Sequence, residues 1–142
     1  MNRIVLLCIG WMLLLCGCYN SLREDGVMGV GDDIVQMIYF ESKQDVFPFM
    51  EEIFDRFGKP NGKDQRIRSR LVWNNVKDTA IHPEPFQLFI DPGHSIRDQG
   101  RRVNMISIAI LDENDRSILV KKTPQQRVIK AYFQAIIDET LK

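Results

Sequence analysis

The chain alternates between short apolar runs and polar breaks, and the spacing inside each run separates strands from helices. Residues 34–40 are interrupted only by Gln36, and Ile34, Val35, Ile38, Tyr39 and Phe40 favour a strand, expected at the centre of a sheet. Next, Val46, Phe47, Met50, Ile53, Phe54 and Phe57 recur at three- and four-residue steps, the period of a helix with one apolar stripe. Asp45 suits its start, Pro48 is tolerable only in the first turn, and Gly58 and Pro60 stop it. Phe49 falls awkwardly beside this stripe. Asn61-Gly62 then marks a turn.

Residues 66–73 alternate, so that Arg66, Arg68 and Arg70 would share one strand face and Ile67, Leu71 and Trp73 the other. Residues 77–85, with Pro83 and Pro85, read as a loop. Residues 86–90 form a short strand ended by Asp91-Pro92-Gly93, and 94–102 are polar and Arg-rich, hence a loop. Residues 103–111 are the strongest strand, 112–116 turn the chain, and 117–121 return as an edge strand. Thr123, Pro124 and Gln126 are cap, first helical residue and capping-box partner of a last helix. Its stripe is Val128, Ile129, Tyr132, Phe133, Ile136, Ile137 and Leu141. Most strands are joined by connections too short for crossover helices, which predicts a mainly antiparallel sheet of about five strands. Packing both greasy helices on one face of it gives an α+β fold, a two-layer sandwich. Phe89 points away from Phe86 and Leu88, so an uncovered second face would expose it as a contact surface.

The first residues obey a different logic. Arg3 precedes an uncharged stretch, residues 4–15, shorter than the roughly 20 apolar residues of a spanning helix and suited to the core of a secretory signal. Leu15-Cys16-Gly17-Cys18 then resembles the lipobox of bacterial lipoproteins. The resemblance implies cleavage after Gly17, a diacylglyceryl group on Cys18 and often a further acyl chain on the new amino terminus. Tyr19 rather than Asp after the cysteine implies, by the same resemblance, the outer membrane. Residues 1–17 are therefore expected to be a signal peptide, 18–33 a lipidated cysteine and flexible tether, and 34–142 a single domain. The helix ending in Phe57-Gly58-Lys59-Pro60, with the Trp73 strand and later hairpin strands, also resembles small outer-membrane assembly lipoproteins. The leading strand and final helix depart from that pattern, and no function is carried over.

Composition sharpens this picture mainly by exclusion. Cys8, Cys16 and Cys18 are the only cysteines; two leave with the signal and the third carries lipid, so disulfides, thiolate catalysis and a cysteine zinc site are excluded. Lys+Arg and Asp+Glu are both 19, which argues against a strongly basic nucleic-acid binder. His82, Glu84, Asp91 and His94 can be written as a metal set, and Ser95, His94 and Asp91 as a triad, but neither spacing is diagnostic. The zinc-protease helix and the Gly-x-Ser-x-Gly turn are absent. No enzyme activity, cofactor, metal or small-molecule substrate is expected. Arg66, Arg68 and Arg70, with Arg97, Arg101 and Arg102, form a candidate basic contact face for anionic head groups or an acidic partner, set against a merely solvated face. The expected function is a non-enzymatic binding or envelope-assembly lipoprotein facing the periplasm, with a protein partner in the cell envelope. The alternative is an immunity or inhibitor lipoprotein that neutralises a toxin or hydrolase arriving there.

Overall fold

Isoleucines at alternate positions build the centre of the sheet, because a strand sends every second side chain to the same face. In the computed structural model, which describes residues 27–30, 33–64, 68–98, 101–120 and 122–141, seven strands and two helices are seen. The strands are β1 (Val27–Val30), β2 (Asp33–Gln36), β3 (Ile38–Ser42), β4 (Gly62–Lys63), β5 (Leu71–Val76), β6 (Phe86–Asp98) and β7 (Arg101–Leu111). The helices are α1 (Phe47–Phe57) and α2 (Pro124–Thr140). One antiparallel sheet of five strands runs in the order β3-β7-β6-β5-β4, and β1 pairs with β2 in a separate hairpin. Register aligns Ile38 with Ile108, Ile108 with Ile90, and Ile90 with Leu71, one apolar row across four strands.

Both helices contribute to the core over this row, so the fold is the two-layer α+β sandwich expected from the pattern. Phe49, Ile53, Phe133 and Ile129 are fully buried against the isoleucines; burying a side chain of this size stabilises by about 1.5–3 kcal/mol. The stripe of α1 is rotated from the expected one. Phe49 is inside, while Phe47 and Phe54 are 63% and 38% exposed. The chain leaving β3 sets this rotation: Asn104 Nδ2 donates to the Gln44 carbonyl at 2.8 Å, and Asp45 accepts from the Phe47 amide at 3.0 Å. At the other end, Gly58 at φ 74° stops the helix, and Trp73 Nε1 donates to its carbonyl at 2.8 Å. In α2, Thr123 accepts from the Gln126 amide as predicted, but Gln126 reaches back to the Lys122 amide rather than to that of Thr123.

Four segments depart from the sequence reading. Residues 34–40 are not one central strand: they divide at Met37, β2 pairs with β1, and β3 is an edge of the main sheet. The run looked central because both its faces are apolar. Ile38 and Phe40 meet the helices, while Met37 and Tyr39 pack with Ala109, Leu111 and Phe89 on the other face. The expected tether, residues 18–33, therefore contains β1 and the start of β2. The loop expected over 94–102 is strand at 94–98 and 101–102, because Asp91-Pro92-Gly93 makes a bulge, with Gly93 at φ 133°, and the strand continues beyond it. Residues 117–121 give only a bridge between Ser117 and Leu111, and β4 supplies the fifth strand instead. Phe89 is half-buried in the second-face cluster, not the exposed marker expected.

Candidate contact surface at one end of the sheet

The two ends of the sheet are chemically different, and strand direction decides which residues gather at each. β6 and β7 outrun their neighbours: β5 pairs with β6 only from Phe86 to Ile90, and β3 reaches no further along β7 than Asn104. The remainder, closing at Asp98 and Arg101, is a projecting two-stranded ribbon. Register sets Arg97 opposite Arg102 and Asp98 opposite Arg101. β4 and β5 stop well short of that close: Lys63 pairs with Leu71, in the row of Ile90, Ile108 and Ile38. Exposed Lys63 and Arg68 line one cleft beside this row. β3 runs further toward the close of the ribbon, to Ser42 opposite Asn104, followed by exposed Lys43.

The basic strand face expected from residues 66–70 does not form. The strand begins only at Leu71, Arg68 is exposed in a turn, and Arg66 lies outside the described residues. Arg70 is buried rather than presented, its guanidinium 2.9 Å from the Asp64 carboxylate with both side chains under 8% exposed. A buried guanidinium needs such a partner, because an isolated charge there would be far too costly. Arg70 also acts on the second sheet face. Burial pushes the Tyr39 hydroxyl pKa up, and the positive charge of Arg70 opposes that shift. The arginines at 97, 101 and 102 stand on strand positions at the ribbon tip rather than in a loop. Lys43 and Lys63, both exposed, do not stand out in the sequence, where neither sits in a cluster.

The opposite end carries the Asp112–Arg116 turn and the loop that holds Asp78, His82 and Glu84. Asp112 accepts from the Asn114 and Arg116 amides at 2.8 and 2.9 Å, and the Arg116 guanidinium stands 3.1 Å away. Its carboxyl is held below the ordinary range first by the Arg116 amide. Tyr132 on α2 donates to Asp78 at 2.8 Å and lies under the Arg56 guanidinium, 5.7 Å from ring centre. His82 Nδ1 is engaged by the backbone of Glu84. His82 precedes β6 and His94 lies beyond its bulge, so the four-residue metal set is split between the two ends. Asp91 is buried on the near side of that bulge, and His94 and Ser95 follow on the far side. Among the described residues, no three His, Cys, Asp or Glu side chains are placed to share a metal ion. Open clefts of about 290 and 380 Å³ lie beside Lys63 and Arg68, next to β4, and beside His82.

Cys18 and the remainder of residues 1–26 lie outside the described residues. Among the described residues, no helix is long and apolar enough to cross a membrane. The chain matches no family model, no curated protein and no solved structure.

Proposed function

We propose that this chain is a lipid-anchored bacterial envelope lipoprotein, held through Cys18 at the periplasmic side of the outer membrane, that acts by binding a partner and not by catalysis. The observation that supports the binding reading is the separation of groups that chemistry would need together: His82 precedes β6 and His94 follows its bulge, toward opposite ends of that strand. The clefts beside Lys63 and Arg68 and beside His82 are open, which suits a contact surface rather than an enclosed pocket. The anchor reading is supported by Leu15-Cys16-Gly17-Cys18 behind a short apolar core, and by the lack of any cysteine after residue 18. A diacyl or triacyl anchor holds a protein stably where one chain does not, at about 0.8 kcal/mol per buried methylene.

The test is metabolic labelling with a palmitate analogue, followed by fractionation. The wild-type chain takes up label and sediments with membranes, whereas Cys18→Ala does neither and appears in the soluble envelope fraction. A Cys18→Ala variant that fractionates with membranes as the wild type does contradicts the anchor.

A further inference from the structure

Charge is balanced over the whole chain, at 19 Lys+Arg against 19 Asp+Glu, but not over residues 59–70. That segment holds Lys59, Lys63, Arg66, Arg68 and Arg70 and a single carboxylate, Asp64. Asp64 is engaged by Arg70, 2.9 Å away in a buried pair that is neutral in sum. Both residues line the cleft beside β4, and exposed Lys63 and Arg68 line it with them. The four charged side chains of the lining, three cations and one carboxylate, therefore sum to +2. The backbone that carries Lys63 is held from both sides. Before it, the Asn61 amide donates to the Val72 carbonyl at 3.1 Å, Asn61 Nδ2 donates to the Asn74 carbonyl at 3.2 Å, and the Asn74 amide donates back to Asn61 Oδ1 at 2.6 Å. After it stands the Asp64–Arg70 pair. Gly62 lets β4 come this close, since a Cβ there would stand 2.7 Å from both Val72 Cγ1 and Asn74 Nδ2.

We infer that this cleft binds a phosphate monoester group, carried by a lipid head group or by a soluble phosphorylated molecule. The inference rests on the binding reading proposed above, and not on the anchor. Charge decides the class of ligand. A phosphate monoester carries about −1.5 to −2 near neutral pH, which matches the lining, whereas one carboxylate would neutralise only part of it. The side chains suit the same group: the planar fork of Arg68 can meet two phosphoryl oxygens, and the Lys63 ammonium acts as a point charge. At about 290 Å³ the cleft is close to the lower limit, roughly 300 Å³, of small-ligand sites. Being open, it admits the charged end of a larger molecule. Pro60 and Leu71 add apolar surface to the wall, which limits solvent screening of the two cations.

The test is a phosphorus NMR titration of the full chain in neutral detergent with methyl phosphate. The expected result is saturable, salt-sensitive binding that Lys63→Gln and Arg68→Gln each weaken at least about fivefold, while Lys43→Gln, at the opposite edge of the sheet, leaves it within about twofold. Both cleft variants should keep the wild-type unfolding midpoint, since both positions are exposed. Absence of saturable binding overturns the inference, as does equal weakening by all three variants. A tetraglutamate peptide held through Lys63 and Arg68 more tightly than methyl phosphate also overturns it, in favour of an acidic protein. Vesicles with and without phosphatidic acid, offered to the Cys18→Ala chain, separate the two sources. Phosphatidic acid bound more tightly than methyl phosphate supports a lipid head group, and the reverse order supports a soluble phosphorylated molecule. Release of inorganic phosphate from bound methyl phosphate would contradict the absence of catalysis rather than the site. The Cys18→Ala chain should bind methyl phosphate as the wild type does, so failure of the anchor and failure of the site are read separately.

Discussion

At the end of the sheet that carries the Asp112–Arg116 turn, charged groups are satisfied by neighbours: Asp112 by two amides and Arg116, Asp78 by Tyr132, His82 by the Glu84 backbone. Along the β4–β5 side of the sheet, Arg70 is sequestered in a buried pair, while Lys63 and Arg68 beside it are exposed. The contrast separates two uses of charge. Where both partners lie within the fold, charge fixes local geometry. Where a charge stays exposed, as at Lys63 and Arg68, it is left to meet what lies outside the fold.

The largest effect should come from Arg70, the arginine of the β4–β5 side that belongs to the fold. Arg70→Ala strands Asp64 in a buried site and should cost about 3–5 kcal/mol, against less than about 0.5 kcal/mol for Arg68→Ala. Urea unfolding of the two variants checks this, and equal costs would erase the distinction between structural and presented arginines. At the satisfied end, Tyr132→Phe removes the 2.8 Å bond to Asp78 and should cost about 1–2 kcal/mol by the same assay. Burial raises the Tyr132 pKa first; the neighbouring Asp78 raises it further while Arg56 opposes it, so the hydroxyl stays a donor through neutral pH.

A smaller effect is expected of Asp112. Its carboxyl titrates below the ordinary range in the folded chain, so its contribution is complete above the ordinary carboxylate pKa. That contribution is lost as pH falls through the folded value. Asp112→Asn should flatten the acid limb of the stability–pH curve and leave the neutral-to-alkaline region parallel to wild type. Smallest of all, charge reversal at exposed Lys43 should move the unfolding midpoint hardly at all, since surface substitutions away from packed features stay within about 0.5 kcal/mol each. A large loss there would make Lys43 part of the fold's own framework.

Periodicity disclosed the layers because each half of the sandwich buries one side of its elements. Ile106, Ile108 and Ile110 announced β7, and Ile129, Phe133 and Ile136 announced α2. Strand membership was harder. The edge strand β4 is only Gly62–Lys63, too short for a period, while residues 117–121 had the period but are held by the Ile110 carbonyl and one bridge. Asp91-Pro92-Gly93 has the composition of both a turn and a bulge, and only the pairing with β7 decides between them. In α1, two stripes share Met50 and Ile53, and the link from Asn104 to Gln44 selects the one that buries Phe49. The basic residues were visible as two groups in the sequence. That Arg68 lies beside Lys63 and Leu71 while Arg97 and Arg102 lie beyond the bulge of β6 follows from strand register, a long-range property, and the removal of Arg70 from the surface follows from its pairing with Asp64.

The central proposal, that lipid on Cys18 holds this domain at a membrane, is tested most directly by the mass of the amino-terminal peptide of the protein purified from a bacterial envelope. The account predicts a peptide that begins at Cys18 and carries the mass of a diacylglyceryl group. An unmodified Cys18, or a peptide that retains residues 1–17, would contradict it.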